Sequence, residues 1–474
     1  MAIEGYIDTL NSREISGWAF EDAYPNVPLR VEILESGKII SVLLADMFRE
    51  DLLAAGKGNG QHAFRFTRAS DGPPLSARIV GKRWNLQPTA GLGVAAIHHD
   101  PRRRLQHTLE FGFPNVTTAF STAIANASEL ASVDRIITSF HRVVADNSHC
   151  DDDKTDLWSS IDQIYHQEIK ELLYRRDVRG TAEYLRNAHA RGLTFGITQG
   201  IETTETLRND PSARRMVATE YVDNLVSLAE FLGVLNVESP SQKGQWAENM
   251  HCDLDELVER ISSHIGVPLQ TPPVMDSYFG CFLHDGIVTG RDICALYAAI
   301  RLRDIMQDAG VQNPHALEIG GGLGGGAYYA TRLGLRYTIV DLPLIGVLQA
   351  YFLIHALPNV KIRLYGEPEV LDAQIELLPA HAFAQRRGNW DILLNQDSFP
   401  KINEKIVLDY LREAKKSVRH AFLSINQEAR APQSDNAAQG VVRDFFAQVG
   451  GFRRVMRARH WLRAGYVEEL YKRC

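Results

Sequence analysis

The chain has 474 residues, of which 45% are hydrophobic and 23% charged, and its net charge is −7. This is ordinary globular composition with ample core for roughly two to four domains, and it lacks the basic footprint of a nucleic-acid binder. No apolar run is long enough to span a bilayer, the opening MAIEGYIDTL lacks a basic or apolar leader, and the five cysteines (Cys150, Cys252, Cys281, Cys294, Cys474) are scattered without a CxxC pair, so a cytoplasmic protein with free thiols is expected.

Residues 1–88 read as an all-β sandwich. Short runs such as EISGWAF, LRVEILESGKIISVLLA and HAFRFT are separated by the turn signals ESGK, GKGNGQ and SDGPP. Gly5-x-Ile7-Asp8 followed by Ile15-Ser16-Gly17-Trp18-Ala19 resembles a short module attached to bacterial enzymes that build cell-surface polysaccharides, which implies glycan or partner binding. Trp18 is expected in the sandwich core, with stacking on a sugar ring as the other reading.

Residues 100–310 read as mostly helical, forming a cap or substrate region. Helical spacing runs through 157–176, 221–235, 253–267 and 291–310, with Asp253 and Asp292 as helix starts and Gly310 as a stop. His149, Cys150 and Asp151 to Asp153 read as a solvated acidic loop, because adjacent residues rarely converge on one metal ion. Arg102 to Arg104 read as an exposed basic face.

Residues 311–474 alternate strand and helix: HALEI, LRYTIVD, VKIRLYG, WDILLN and AFLSINQ are strand-like, and 452–461 with 465–473 form a closing antiparallel hairpin. The order predicts a Rossmann-like, seven-stranded, doubly wound sheet.

The sharpest motif is Glu318-Ile-Gly320-Gly-Gly322-Leu-Gly324, between the first strand and the first helix. Glycines allow a tight turn and close approach of a ligand, and the helix end offers free N–H groups. Asp341 ends the second strand, where a carboxylate accepts from ribose hydroxyls. The same residues satisfy G-x-G-x-x-G for NAD. S-adenosylmethionine (SAM) is favoured on three counts. Glu318 suits its ammonium group, the closing hairpin suits a methyltransferase sheet, and Asp341-Leu-Pro343 resembles the Asp-x-Pro of many methyltransferases.

LEIGGGLGGGAYYATRLGLRYTIVDLP, WDILLNQDSFPKI and WLRAGYVEELYKR, in that order and with HDGIVTGRDICALYAAIRL before them, resemble the bacterial family of sugar O-methyltransferases over roughly residues 270–474. The resemblance implies a class I SAM-dependent enzyme that methylates a sugar hydroxyl in surface-polysaccharide (O-antigen or capsule) biosynthesis. The cofactor role falls on Glu318, Gly320, Gly322, Gly324 and Asp341, and Asn395 and Gln396 at the end of the fourth strand join them. The chain departs from the family pattern at Asp397 and at Pro400-Lys401.

A sugar hydroxyl is a weak acid, so a general base is sought beyond the strand ends. Asp397 follows the fourth strand, Glu428 follows the fifth, and His284 lies in the helical cap; these are the catalytic candidates. Asp397 with Glu428 could also hold a divalent cation, but two carboxylates do not define a site, so no metal is expected. The arginines from Arg453 to Arg463 read as edge-strand charge, or as contacts to an anionic acceptor such as a lipid- or nucleotide-diphosphate-linked sugar. Two other functions compete: an NAD(P)-dependent sugar-modifying enzyme, and a non-catalytic glycan-binding scaffold. The sequence leaves oligomeric state open.

Overall fold

In a computed structural model of the chain, the described residues are 3–35, 37–73, 75–81, 86–88, 123–146, 157–198, 206–207, 209–239, 248–275, 280–284, 286–370, 372–385, 388–428 and 440–474. The acidic run 149–153 and Arg102 to Arg104 lie outside them. The chain divides into two compact units, Met1–Pro101 and Arg102–Cys474. No helix among the described residues is long and apolar enough to cross a membrane.

The first unit has strands β1 (Ile3–Leu10), β2 (Glu14–Glu21), β3 (Arg30–Glu35), β4 (Lys38–Leu44), β5 (Met47–Phe48), β6 (Gln61–Thr67), β7 (Leu75–Ile79) and β8 (Gln87–Pro88). They form sheets ordered β5-β6-β2-β1-β8 and β4-β3-β7. Ile7, Ile15, Phe64, Val31, Ile33 and Ala77 from the two sheets share one core. Strand side chains alternate between faces, so with Ile15 and Ala19 turned inward, Trp18 turns outward. Trp18 sits opposite Tyr6 across β1 and β2, with ring centroids 5.6 Å apart. The expected place in the core is therefore corrected: Trp18 is partly buried on the outer face of its sheet.

The second unit begins with helices. The run 157–176 breaks at His166 into Leu157–Tyr165 and Gln167–Tyr174. Asp253 caps Leu254–Ile265 by accepting from Glu256 N–H. In Gly290–Asp308 the cap is Thr289, and Asp292 is its capping-box partner inside the first turn, not the start itself. A short hairpin pairs β9 (Cys281–Leu283) with β10 (Gly286–Val288).

The large sheet uses β11 (His315–Ile319), β12 (Arg336–Asp341), β13 (Ile362–Arg363), β14 (Ile375–Pro379), β15 (Trp390–Gln396), β16 (Val418–Gln427), β17 (Phe452–Arg459) and β18 (Tyr466–Arg473). Its order is β13-β14-β12-β11-β15-β16-β18-β17. The strands from β11 to β16 run parallel, and β18 lies antiparallel between β16 and β17. Strand β14 is absent from the expected set and makes eight strands where seven were expected, while the expected VKIRLYG forms the short edge strand β13.

Strand alternation splits the sheet between two cores. Ala316, Ile339, Ile392 and Leu423 pack with the helical segments before β11 and with the helices after β11 and β12. Leu317, Val340, Leu393 and Phe422 pack with Glu404–Ser417 and Val442–Val449. The strand order reverses beside β11, so a crevice opens beyond the carboxyl ends of β11 and β15.

The second unit has its own cores, so a chain beginning at Arg102 is expected to fold alone. Calorimetry should give one cooperative transition within a few degrees of the corresponding transition in the full chain. A shortened chain with no transition contradicts this.

Candidate cofactor and acceptor site

A cavity of about 850 Å³ occupies that crevice. Its first wall is the glycine loop. Gly320 has φ 77°, and a Cβ there would lie 2.5 Å from Ser398 Oγ, so only glycine lets the loop pass the β15 turn. Gly322 lines the cavity too, whereas Gly324 does not. Gly324 is the N-cap of Gly325–Arg332, and a Cβ on it would meet Leu353.

Glu318 is 4% exposed, and its Oε2 accepts from Tyr337 Oη at 3.0 Å. A Cβ on Gly326 would lie 2.9 Å from that same oxygen, and one on Gly321 3.1 Å, so the carboxylate sits directly beneath the loop. Burial pushes its pKa up to about 8 against the help of Tyr337. Such a group gains most from a neighbouring cation.

Asp341 ends β12, next to β11. Its Oδ1 accepts from Leu342 N–H at 2.8 Å and its Oδ2 from Gln349 Nε2 at 2.7 Å. Desolvation pushes it up to about 6, opposed by these bonds and by bonds from the backbone of Gly321 and Gly322. Gln349 Nε2 also donates to Gly322 O at 2.9 Å, locking the loop to the carboxylate. Sequence reasoning missed Gln349; its signal is an amide alone within the apolar helical run LIGVLQAYFLIHA.

At the end of β15, Gln396 lines the cavity and Asn395 does not. Asn395 is fully buried and donates from Nδ2 to Ile319 O at 2.8 Å, while its Oδ1 accepts from Phe399 N–H at 3.2 Å. It braces the ends of two strands, so the expectation that it touches cofactor is corrected.

Asp397 lines the cavity from a left-handed backbone, φ 57°, uncommon outside glycine. Arg463 Nη1 lies 2.7 Å from its Oδ2, Arg291 Nη1 3.4 Å from Oδ2, Lys401 Nζ 3.1 Å from Oδ1, and Tyr466 Oη donates to Oδ1 at 2.5 Å. Burial would raise its pKa, but Arg463, Lys401 and Arg291 outweigh that and hold it far below the usual carboxylate range. A carboxylate so tightly ion-paired is a poor proton acceptor, which corrects the reading of Asp397 as general base.

Glu428 and His284 do not line the cavity. Glu428 is paired with Arg457 at 2.7 Å and Arg443 at 3.6 Å, and the Arg457 hydrogen bonds lower its pKa. His284 is exposed, and its backbone N–H donates to Asp255. Asp397 and Glu428 are each spent on basic side chains, which removes the geometry for a shared cation, and the described residues hold no group of three or more His, Cys, Asp or Glu fit for a metal.

His189, Tyr221, Asn224, Arg291 and Arg463 also line the cavity. Of the C-terminal arginines, Arg454 and Arg457 pair with Glu469, as edge-strand charge does, and Arg463 turns to the cavity. Ile197 Cγ2 comes within 3.4 Å of a Cβ built on Gly322, so the 188–198 segment roofs the glycine loop. Burial holds His189 down to about 4, leaving its ring neutral at neutral pH.

The strand order and glycine loop define a Rossmann-like, doubly wound fold closed by an antiparallel hairpin. No family model matches the chain, and no curated protein does. Among solved structures, the chain is similar to magnesium protoporphyrin IX methyltransferase from Synechocystis PCC 6803 with bound SAM, at 12% identity over 39% of this chain and 80% of that one, TM-score 0.29. Mitomycin 7-O-methyltransferase is 14% identical over 57% of this chain and 100% of that one, TM-score 0.28. The 1,6-didemethyltoxoflavin-N1-methyltransferase of Burkholderia thailandensis is 17% identical over 39% and 82%, TM-score 0.27. At these values the likenesses add no weight to the geometry.

Two variants test the loop. Glu318 near 8 in the folded chain, against about 4.3 unfolded, means that the folded state holds its proton more tightly. That contribution is complete below the unfolded value and is lost as pH rises through 8. Glu318→Gln should therefore melt increasingly above the wild type between pH 5 and pH 8; a constant gap contradicts the buried acid. Gly320→Ala meets both a positive φ and Ser398. It should cost about 1–3 kcal/mol in chemical denaturation, and a neutral effect contradicts the tight passage.

Proposed function

We propose that this chain is a SAM-dependent methyltransferase that methylates a hydroxyl of a small acceptor. The observation that carries this reading is the carboxylate of Glu318 buried beneath the glycine loop, with a second carboxylate, Asp341, at the end of the adjacent strand. SAM brings an ammonium and a sulfonium to that loop and no phosphate. A dinucleotide would lay its pyrophosphate over a buried acid, which argues against NAD(P). A decayed scaffold would have no reason to keep a desolvated acid and its partners, which argues against a purely glycan-binding role.

On this reading Glu318 takes the ammonium, Asp341 takes the ribose hydroxyls, and the base lies among Leu342, Pro379, Ala380 and Phe383, all of which line the cavity. SAM supplies an electrophilic methyl group. The protein positions the acceptor oxygen and excludes water. Asp397 orients Arg463 and Arg291. The finer reading, a sugar hydroxyl in cytoplasmic surface-polysaccharide biosynthesis with a lipid- or nucleotide-diphosphate-linked acceptor, is supported by the sequence motifs of residues 270–474.

Calorimetry with S-adenosylhomocysteine tests the reading. Asp341→Ala removes a charged acceptor worth about 1.5–3 kcal/mol, so binding should weaken by at least tenfold. Glu318 must ionise to pair with the ammonium, so binding near pH 7 should release protons. This reads as a heat that differs between buffers of different ionisation enthalpy. Equal binding by Asp341→Ala, or no proton release, contradicts the assignment.

A further inference from the structure

The acceptor end of the cavity carries two guanidinium groups that one carboxylate holds in place. Arg463 is anchored by Asp397 at 2.7 Å and stacks over the Tyr466 ring at 3.8 Å. Arg291 reaches the same oxygen at 3.4 Å and is half exposed. Each makes one side-chain hydrogen bond, that to Asp397, among the described residues. Each guanidinium has five N–H donors, so most remain for a ligand. Asn224, which also lines the cavity, is 4% exposed, and its Oδ1 has no hydrogen-bond partner among the described residues. A buried carbonyl oxygen without a partner is costly unless a ligand donates to it.

Among the described residues, Arg463 and Arg291 are the two arginines that line the cavity, and Lys401 pairs with Asp397 from outside that lining. Arginine forks match the paired oxygens of a carboxylate or phosphate.

Resting on the methyltransferase reading for the identity of the cavity, the geometry points to an acceptor that is itself an anion: a hydroxylated carboxylate or phosphate ester. Its charged group lies on Arg463 and Arg291, and one of its hydroxyls donates to Asn224. Asp397 is the positioning residue that holds both arginines, which accounts for its unusual backbone and its surrounding cations without any proton transfer.

The test is a set of calorimetric titrations on the full chain saturated with S-adenosylhomocysteine, using D-glucuronate, D-glucose 6-phosphate and D-glucose as probes. Either or both anionic sugars should bind at least tenfold more tightly than glucose, and which one does distinguishes carboxylate from phosphate. Arg291→Gln, at a half-exposed position, should cut that preference at least tenfold while leaving the melting temperature and S-adenosylhomocysteine affinity unchanged. Asn224→Ala should weaken the favoured anionic sugar with its preference over glucose retained. Glucose binding as well as the anions, or an unchanged preference in Arg291→Gln, overturns the proposal. So does failure of both anionic sugars and of inorganic phosphate to bind. Failure of S-adenosylhomocysteine alone overturns the methyltransferase reading instead, and the same titrations without it still read the anion site.

Discussion

The site turns on one desolvated acid. Glu318 lies beneath a loop of glycines, and among the described residues Tyr337 is its side-chain hydrogen-bond donor. No basic side chain pairs with it among the described residues, and burial raises its pKa. Burial of this kind destabilises a fold unless binding offsets it, and it sets the sign of what binds. The neighbouring Asp341 is restrained in the same style, but by Gln349 and backbone groups that leave it a lower pKa. Two adjacent parallel strands thus end in two carboxylates that the chain holds in different ways.

The acceptor end follows the opposite rule. Asp397 has three basic side chains and a tyrosine around it, so its charge is fixed across the physiological range and its work is geometric. A left-handed residue at the end of a central strand is held there by its neighbours. Its N–H donates to Ile425 O at 3.0 Å, and Asn395 and Ser398 tie the same turn to Ile319. The β15 turn therefore serves the glycine loop, through Ser398 against Gly320, and the acceptor end, through Asp397. A change in one should be felt in the other.

What the sequence revealed was what is local. Glu318, the glycines and Asp341 fall within consecutive strand, loop and helix, so spacing alone brought them together. Strand β14 escaped notice because IELLP is short, buried on both faces and without alternation. The outward turn of Trp18 follows from strand parity with Ile15 and Ala19, but parity says which face only once the core is known. Arg291 and Arg463 come from distant segments, and tertiary packing alone brings both to Asp397. Strand-end position pointed to Glu428 as well, yet the arginines of the closing hairpin and the following helix claim it first.

A crystal structure with S-adenosylhomocysteine tests the central claim most directly. The account predicts the amino group within hydrogen-bond distance, about 3 Å, of the Glu318 carboxylate, with both ribose hydroxyls on Asp341. A ligand bound elsewhere, or one lying in the cavity with its amino group turned away from Glu318, would contradict it.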